Sequence, residues 1–172
     1  MESRKSCAYS EHLDLTLERL ASPGLLLAAK SRDGRPDNAM TIGWATFGII
    51  WGLPICVVLV RPSRYTYGLI EAARDFTVNV PAEGMAEAVA YLGTASGRDG
   101  DKLAHVRLAT SASGTVSAPT LSACPVTYEC RAVHHNDVIP AHLESRVDRG
   151  SYPRGDYHRL YYGEILATTT LL

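Results

Sequence analysis

The apolar positions of this chain fall mostly into short runs and period-two alternations, the patterns of strands. Residues 25–30 and 55–60 are short apolar runs and 76–80 lies between Asp75 and Pro81; all three are read as strands, 55–60 as a buried one. Residues 39–50 are small and apolar, with Thr41, Gly43 and Thr46, and are read as one strand. That strand pairs with 25–30 as a hairpin, across the Asp-, Gly- and Pro-rich loop 31–38. Residues 123–133 and 160–170 complete the strands, and 148–156 is turn-rich, with Ser151–Gly155 irregular. Leu13, Leu15 and Leu17 alternate with polar residues, which predicts an incoming strand or extended arm over residues 1–22. Helical spacing is confined to 63–74, capped by Ser63, and 83–92, where Met85, Val89 and Leu92 recur at i, i+4, i+7, with a short helix over 102–108. Residues 110–118 are a polar connection. Strands outnumber helices and lack a regular βαβ rhythm. The expected fold is therefore mainly β: an antiparallel, Greek-key-like β-barrel with a few α-helices on its outside.

Length changes this picture little: 172 residues make one domain, with no room for a separate cofactor domain. With 46% hydrophobic and 20% charged residues the chain is ordinary globular material. Its net charge of −1 gives no global field for nucleic acid or an anionic membrane. Of 17 basic residues only Lys5, Lys30 and Lys102 are lysines, leaving 14 arginines, which suit bidentate binding of phosphate or carboxylate at local sites. Cys7, Cys56, Cys124 and Cys130 form no CxxC pair. Cys124 and Cys130 are placed on one face of one strand, but Pro125 between them argues against a disulfide. The charged first twenty residues lack the apolar core of a signal peptide, and the run 49–60, broken by Gly52 and Pro54, is too short to span a bilayer. The expectation is a reduced, cytoplasmic protein with no membrane partner.

Chemistry-bearing residues cluster at strand ends. Residues 38–44 (NAMTIGW) form a small-residue strand whose backbone can approach a flat ligand at Gly43, or else an ordinary strand with Trp44 in the core. Residues 61–67 (RPSRYTY) place two arginines and several hydroxyls at a helix N-terminus, which is a phosphate site or a cap with solvated arginines. Residues 94–102 resemble a phosphate loop in composition only: Gly97 and Gly100 do not have Walker A spacing, and Asp99 and Asp101 lack the later Glu of an EF-hand. The adjacent His134 and His135 point to opposite faces of a strand, and with His142, His158 and Cys130 give no metal-ligand spacing, so no metal site is assigned. His158 sits at the mouth of the last strand and, taken alone, reads as a surface or capping histidine.

Five segments in order, NAMTIGW (38–44), RPSRYTY (61–67), FTVNVP (76–81), SGRDGDK (96–102) and YHRLYYGE (157–164), resemble the flavin reductase-like family, most closely its flavoredoxin-type branch. The resemblance covers about residues 23–166 and implies an FMN-binding split barrel that forms a homodimer, with one FMN at each end of the interface. By position it implies that Asn38, Met40, Thr41, Ile42 and Trp44 line the isoalloxazine edge and that Arg61, Ser63, Tyr65 and Thr66 hold the phosphate. It implies further that Ser96 and Lys102 close over the phosphate and ribityl side and that Asn79 contacts the ring. His158, five residues before Gly163, matches a family histidine at the nicotinamide face and would orient the nicotinamide or donate a proton. The stretch 134–154 departs from short flavin reductases as an insert placed to restrict the second substrate. The implied activity is hydride transfer from NAD(P)H to FMN, with electrons passed to a flavin, ferric iron, or another small-molecule or small-protein acceptor. A non-enzymatic FMN electron carrier reduced by a partner protein, and a module that has lost flavin and holds another planar ligand, are the other readings.

Overall fold

The computed structural model describes residues 4–32 and 34–172; Asp33 of the 31–38 loop and residues 1–3 of the arm lie outside the described residues. In chain order the elements are β1 (Lys5–Ser6), α1 (Leu13–Ala21), β2 (Leu25–Ala29), β3 (Asn38–Ile42), β4 (Ala45–Ile50), β5 (Leu53–Val60), α2 (Tyr65–Ala73), β6 (Asp75–Val80), α3 (Ala86–Thr94) and α4 (Lys102–His105). There follow β7 (Thr110–Ser111), β8 (Thr120–Leu121), β9 (Val126–Asp137), a 3-10 turn at Pro140–His142, α5 (Ser145–Ser151) and β10 (Arg159–Thr170).

One antiparallel sheet carries the fold, in the order β3-β2-β6-β9-β10-β5-β4, with β1 added on β10; β7 and β8 pair separately. The two ends of that path, β3 and β4, are joined only by Gly43 and Trp44. The sheet must therefore curl back on itself, giving a barrel split between β3 and β4 rather than closed by hydrogen bonds. Its interior holds one apolar face of every long strand, among them Leu25, Leu27, Val58, Val78 and Tyr128. The opposite face of β2 and β3 is covered by α3 and α4 through Leu26, Ala28, Val89, Leu92 and Leu103. This double burial is why β2 reads as an unbroken apolar run.

Several expectations are corrected. Residues 13–21 form a helix, not an arm: Thr16 is its buried residue, with Oγ1 against Tyr128 Oη at 2.7 Å, while Leu17 faces solvent. The alternation of leucines thus does not mark the packed face. The strand expected over 39–50 is two strands, because β3 pairs with β2 and β4 with β5. β4 and β5 turn through Trp51 and Gly52, both with positive φ, as a two-residue hairpin requires. Helix 102–108 shortens to one turn, and the end of the turn-rich stretch is preceded by α5. The polar connection carries β7, and Cys124 lies before β9, in the outer cluster, so it does not share a strand face with Cys130.

Gly163 marks a register shift on β10. A Cβ there would stand 2.5 Å from Phe76 Cζ and 2.8 Å from Cys130 Cβ, both fully buried. Gly163→Val is expected to destabilise the fold by about 1–3 kcal/mol, read as a lower urea midpoint; an unchanged midpoint would mean the barrel interior yields at this point.

Candidate functional site

Three chain segments converge at one end of the barrel. β10 pairs with β5 so that Arg159 faces Val60. The residues just beyond that pair, His158 and Arg61, are therefore neighbours across the barrel mouth. The end of β3 and its link to β4 close the third side. The result is a cleft of about 450 Å³ lined by Met40–Trp44, Leu59, Arg61, Ser63, Arg64 and His158. Through Met40, Ser63 and Arg64 it continues into a second of about 150 Å³, lined by Asn38, Tyr65, Thr66, Ala95–Arg98 and Lys102. The first lies in the range of small-molecule sites.

β3 supplies the floor. It ends the sheet path and, among the described residues, pairs only with β2, so its other edge offers backbone N–H and C=O groups. The Met40 and Ile42 side chains are buried in the barrel, and Thr41 Oγ1 donates to Val89 O on α3. What β3 presents to the cleft is therefore mainly backbone, the arrangement that reads the polar edge of a planar ring. Trp44 is 43% exposed and is not a core residue. Its ring lies 4.9 Å from that of His158, centroid to centroid.

The second cleft is cationic. Lys102 is only 5% exposed and its Nζ donates to Leu92 O (2.8 Å) and Ala95 O (3.0 Å), the terminal carbonyls of α3. Burial, with Arg64 nearby, pulls its pKa down to about 8. Arg64 donates to Gly93 O at 2.7 Å, and Arg98 to Ser63 O at 3.0 Å while lying over the Tyr65 ring. The lining of this cleft thus holds three cationic side chains and no carboxylate. α2 starts here without a side-chain cap. Asn38 Nδ2 donates to Thr66 Oγ1 at 2.8 Å, and the Tyr65 hydroxyl is buried with no hydrogen-bond partner among the described residues. A Cβ on Gly97 would overlap Asn38 Oδ1 and Tyr65, so only glycine lets the 96–98 loop lie this close. An uncapped helix start beside three cationic side chains with no carboxylate in the lining is what a phosphate monoester would satisfy. The residues present therefore fit the phosphate of FMN, and the free edge of β3 fits its ring.

Two of the expected contacts are placed differently. Asn79 is fully buried outside both clefts, donating to Leu26 O and Thr77 Oγ1 and accepting from Leu121 N; these bonds stitch β6 to its neighbours and leave the side chain nothing to offer a ring. Arg61 lines the first cleft, but its guanidinium donates to Ser151 O and Asp156 O, each at 3.0 Å, and to Gly155 O at 3.3 Å. It anchors the 151–156 segment rather than standing free for a phosphate. Ser63 does not cap α2 either: its hydroxyl donates to Asp156 Oδ2. The cation that sequence reasoning left out is Arg98, inside a loop already marked by its glycines.

His158 is 9% exposed, and its Nδ1 lies 2.9 Å from the Tyr152 hydroxyl. Burial, reinforced by Arg61 and Arg64 against the opposing pull of Asp156, brings its pKa down to about 4. At neutral pH it is an uncharged imidazole with no imidazolium proton to donate.

Comparison with known proteins gives a consistent picture. The flavin reductase like domain matches residues 17–171. An uncharacterised protein of Archaeoglobus fulgidus is 30% identical over 132 residues, 77% of this chain and 64% of that protein, so the match spans under two thirds of that relative. Among solved structures, a flavoredoxin from Methanosarcina acetivorans is 28% identical, with a TM-score of 0.65 over 85% of this chain and 67% of that one. The flavoredoxin of Desulfovibrio vulgaris is 25% identical, with a TM-score of 0.68 over 86% of this chain and 69% of its own.

Proposed function

The chain belongs to the flavin reductase-like family, and on that premise we propose that it is an FMN-binding oxidoreductase that takes a hydride from NAD(P)H and passes electrons to a flavin, ferric iron or another small acceptor. The observation that carries the flavin reading is the carboxylate-free cluster of Arg64, Arg98 and Lys102, continuous with the open edge of β3. When bound, FMN supplies the redox chemistry. The protein's residues supply binding and orientation: the cations and the start of α2 hold the phosphate, the β3 backbone reads the ring edge, and neutral His158 positions the donor.

An absorbance spectrum of the purified protein, followed by anaerobic mixing of the FMN-loaded form with NADH or NADPH, tests this. Flavin bands that bleach within seconds are the expected result; flavin that binds but does not bleach rejects NAD(P)H as donor. His158→Ala is expected to keep FMN bound and to slow bleaching on the order of tenfold, the worth of one neutral hydrogen bond. Release of FMN by that variant would refute the positioning role.

A second reading, an electron carrier reduced by a partner protein, is favoured by the likeness to two flavoredoxins. It predicts slow bleaching by NAD(P)H and fast bleaching by a reduced iron–sulfur protein. A homodimer is part of the proposal. Ile49 and Trp51, 60% and 62% exposed on the β4–β5 hairpin, are large apolar side chains that a second copy would cover.

A further inference from the structure

The connection between β9 and β10 sets against His158 a side chain that the proposed reaction has not used. Tyr152 follows α5 and is 6% exposed. Its ring stacks on Tyr157 at 4.7 Å, lies under the Arg61 guanidinium at 5.2 Å, and meets Trp44 edge-on at 6.2 Å. Tyr157 is held in turn by its hydroxyl donating to Asp148 Oδ1 on α5. Held on these sides, the Tyr152 hydroxyl makes its one side-chain hydrogen bond among the described residues with His158 Nδ1.

That single bond has two possible directions, and the proton count selects one. Tyr152 keeps its proton, because burial raises its pKa against the pull of Arg61 and the His158 backbone amide. His158 carries one ring proton. The groups facing it are Arg61 from the end of β5, Arg64 from the start of α2 and Asp156 from its own segment, and with burial their sum disfavours a second proton. If Nδ1 held the ring proton, it would donate to Tyr152 and leave the tyrosine proton buried with no acceptor. If Tyr152 donates to Nδ1, every proton of the pair has a place and the ring proton moves to Nε2.

We infer that Tyr152 is a positioning residue that fixes His158 in the Nε2–H tautomer, so that the cleft offers its second substrate a neutral hydrogen-bond donor suited to a carbonyl or carboxamide oxygen. The link to a second substrate rests on the proposed flavin reading; the tautomer does not.

Two-bond ¹H–¹⁵N correlation of the imidazoles, with His158 assigned by its loss in His158→Gln, tests this on the full chain with and without FMN. The wild-type ring is expected in the Nε2–H form throughout neutral pH. Tyr152→Phe is expected to give a mixture of tautomers and to move the protonation midpoint up toward the ordinary histidine value of about 6.5, since the lost hydrogen bond favoured the neutral ring. A wild-type Nδ1–H form, or a variant with unchanged tautomer and midpoint, would overturn the assignment. The wild-type spectrum decides alone if the variant does not fold. FMN loading is read separately from flavin absorbance, so a chain that binds no flavin would refute the functional reading and leave this one standing or falling on its own spectrum.

Discussion

Replacing Lys102 with methionine is expected to weaken FMN binding by about 1.5–3 kcal/mol, roughly 10- to 150-fold, the usual worth of a hydrogen bond to a charged group. The same change should barely affect riboflavin, which has the ring and no phosphate. Lys102 is suited to this role because its aliphatic stem is buried while two of its three N–H donors are fixed on Leu92 O and Ala95 O. The ammonium is thus pre-oriented at the end of α3. Removing it also leaves those carbonyls unpaired, so some loss of stability accompanies the loss of affinity, and the FMN-to-riboflavin ratio separates the two effects. The pH dependence gives a second separation. In the free protein Lys102 loses its proton as pH rises through about 8, so wild-type affinity for FMN should fall above that point and the methionine variant should lack this step. Folding stability runs the other way. The unfolded chain, with an ordinary lysine pKa near 10.4, binds more protons between about pH 8 and 10.4, so this residue makes the flavin-free protein more stable as pH climbs through that window. Fluorescence titration of FMN and riboflavin from pH 6 to 10 measures the first effect, and urea unfolding the second. Equal losses for both ligands would remove Lys102 from the phosphate site.

The parts legible in the sequence are those where a residue's chemistry is local. The strands β5 and β6 are β-branched runs and declare themselves. α1 is hidden because its most buried position is a threonine that hydrogen-bonds His12 O and Tyr128, while an exposed leucine imitates strand alternation. Asp14 in its first turn and Arg19 in its last were the available helix marks. At the site, the residue types around residues 38–44, 61–67 and 96–102 were legible, and folding brings those segments to two joined clefts. The partners of each side chain were not. Arg61 and Asn79 have the right chemistry for a ligand, but three carbonyls of a distant segment occupy the one and β-strand neighbours the other. Tyr152 is the converse case: nothing in its local sequence marks it, and only the β5–β10 pairing, with Arg61 anchoring the segment, sets it against His158.

Gly97→Val should close the phosphate subsite without dismantling the fold. The added Cβ would overlap Asn38 Oδ1 and Tyr65 Cδ1, and neither can retreat easily. Asn38 is fixed on β3 by its bond to Thr66, and Tyr65 opens α2 with its ring under Arg98. The loop is the softer partner: Arg98 N donates to Ser96 Oγ, and Arg98 Nη1 to Ser63 O, are the bonds that would have to shift. Strain of about 1–3 kcal/mol is therefore expected to be relieved by moving Ser96 and Arg98 outward, taking a hydroxyl and a cation from the place where the phosphate would sit. FMN affinity should drop by roughly 5- to 150-fold, riboflavin affinity should hold, and the urea midpoint should move little, in contrast to Gly163→Val, whose clash lies inside the barrel with no loop to give way. If Gly97→Val bound FMN as tightly as the wild type, the second cleft would not be where the phosphate goes, and the cluster of Arg64, Arg98 and Lys102 would need another anion.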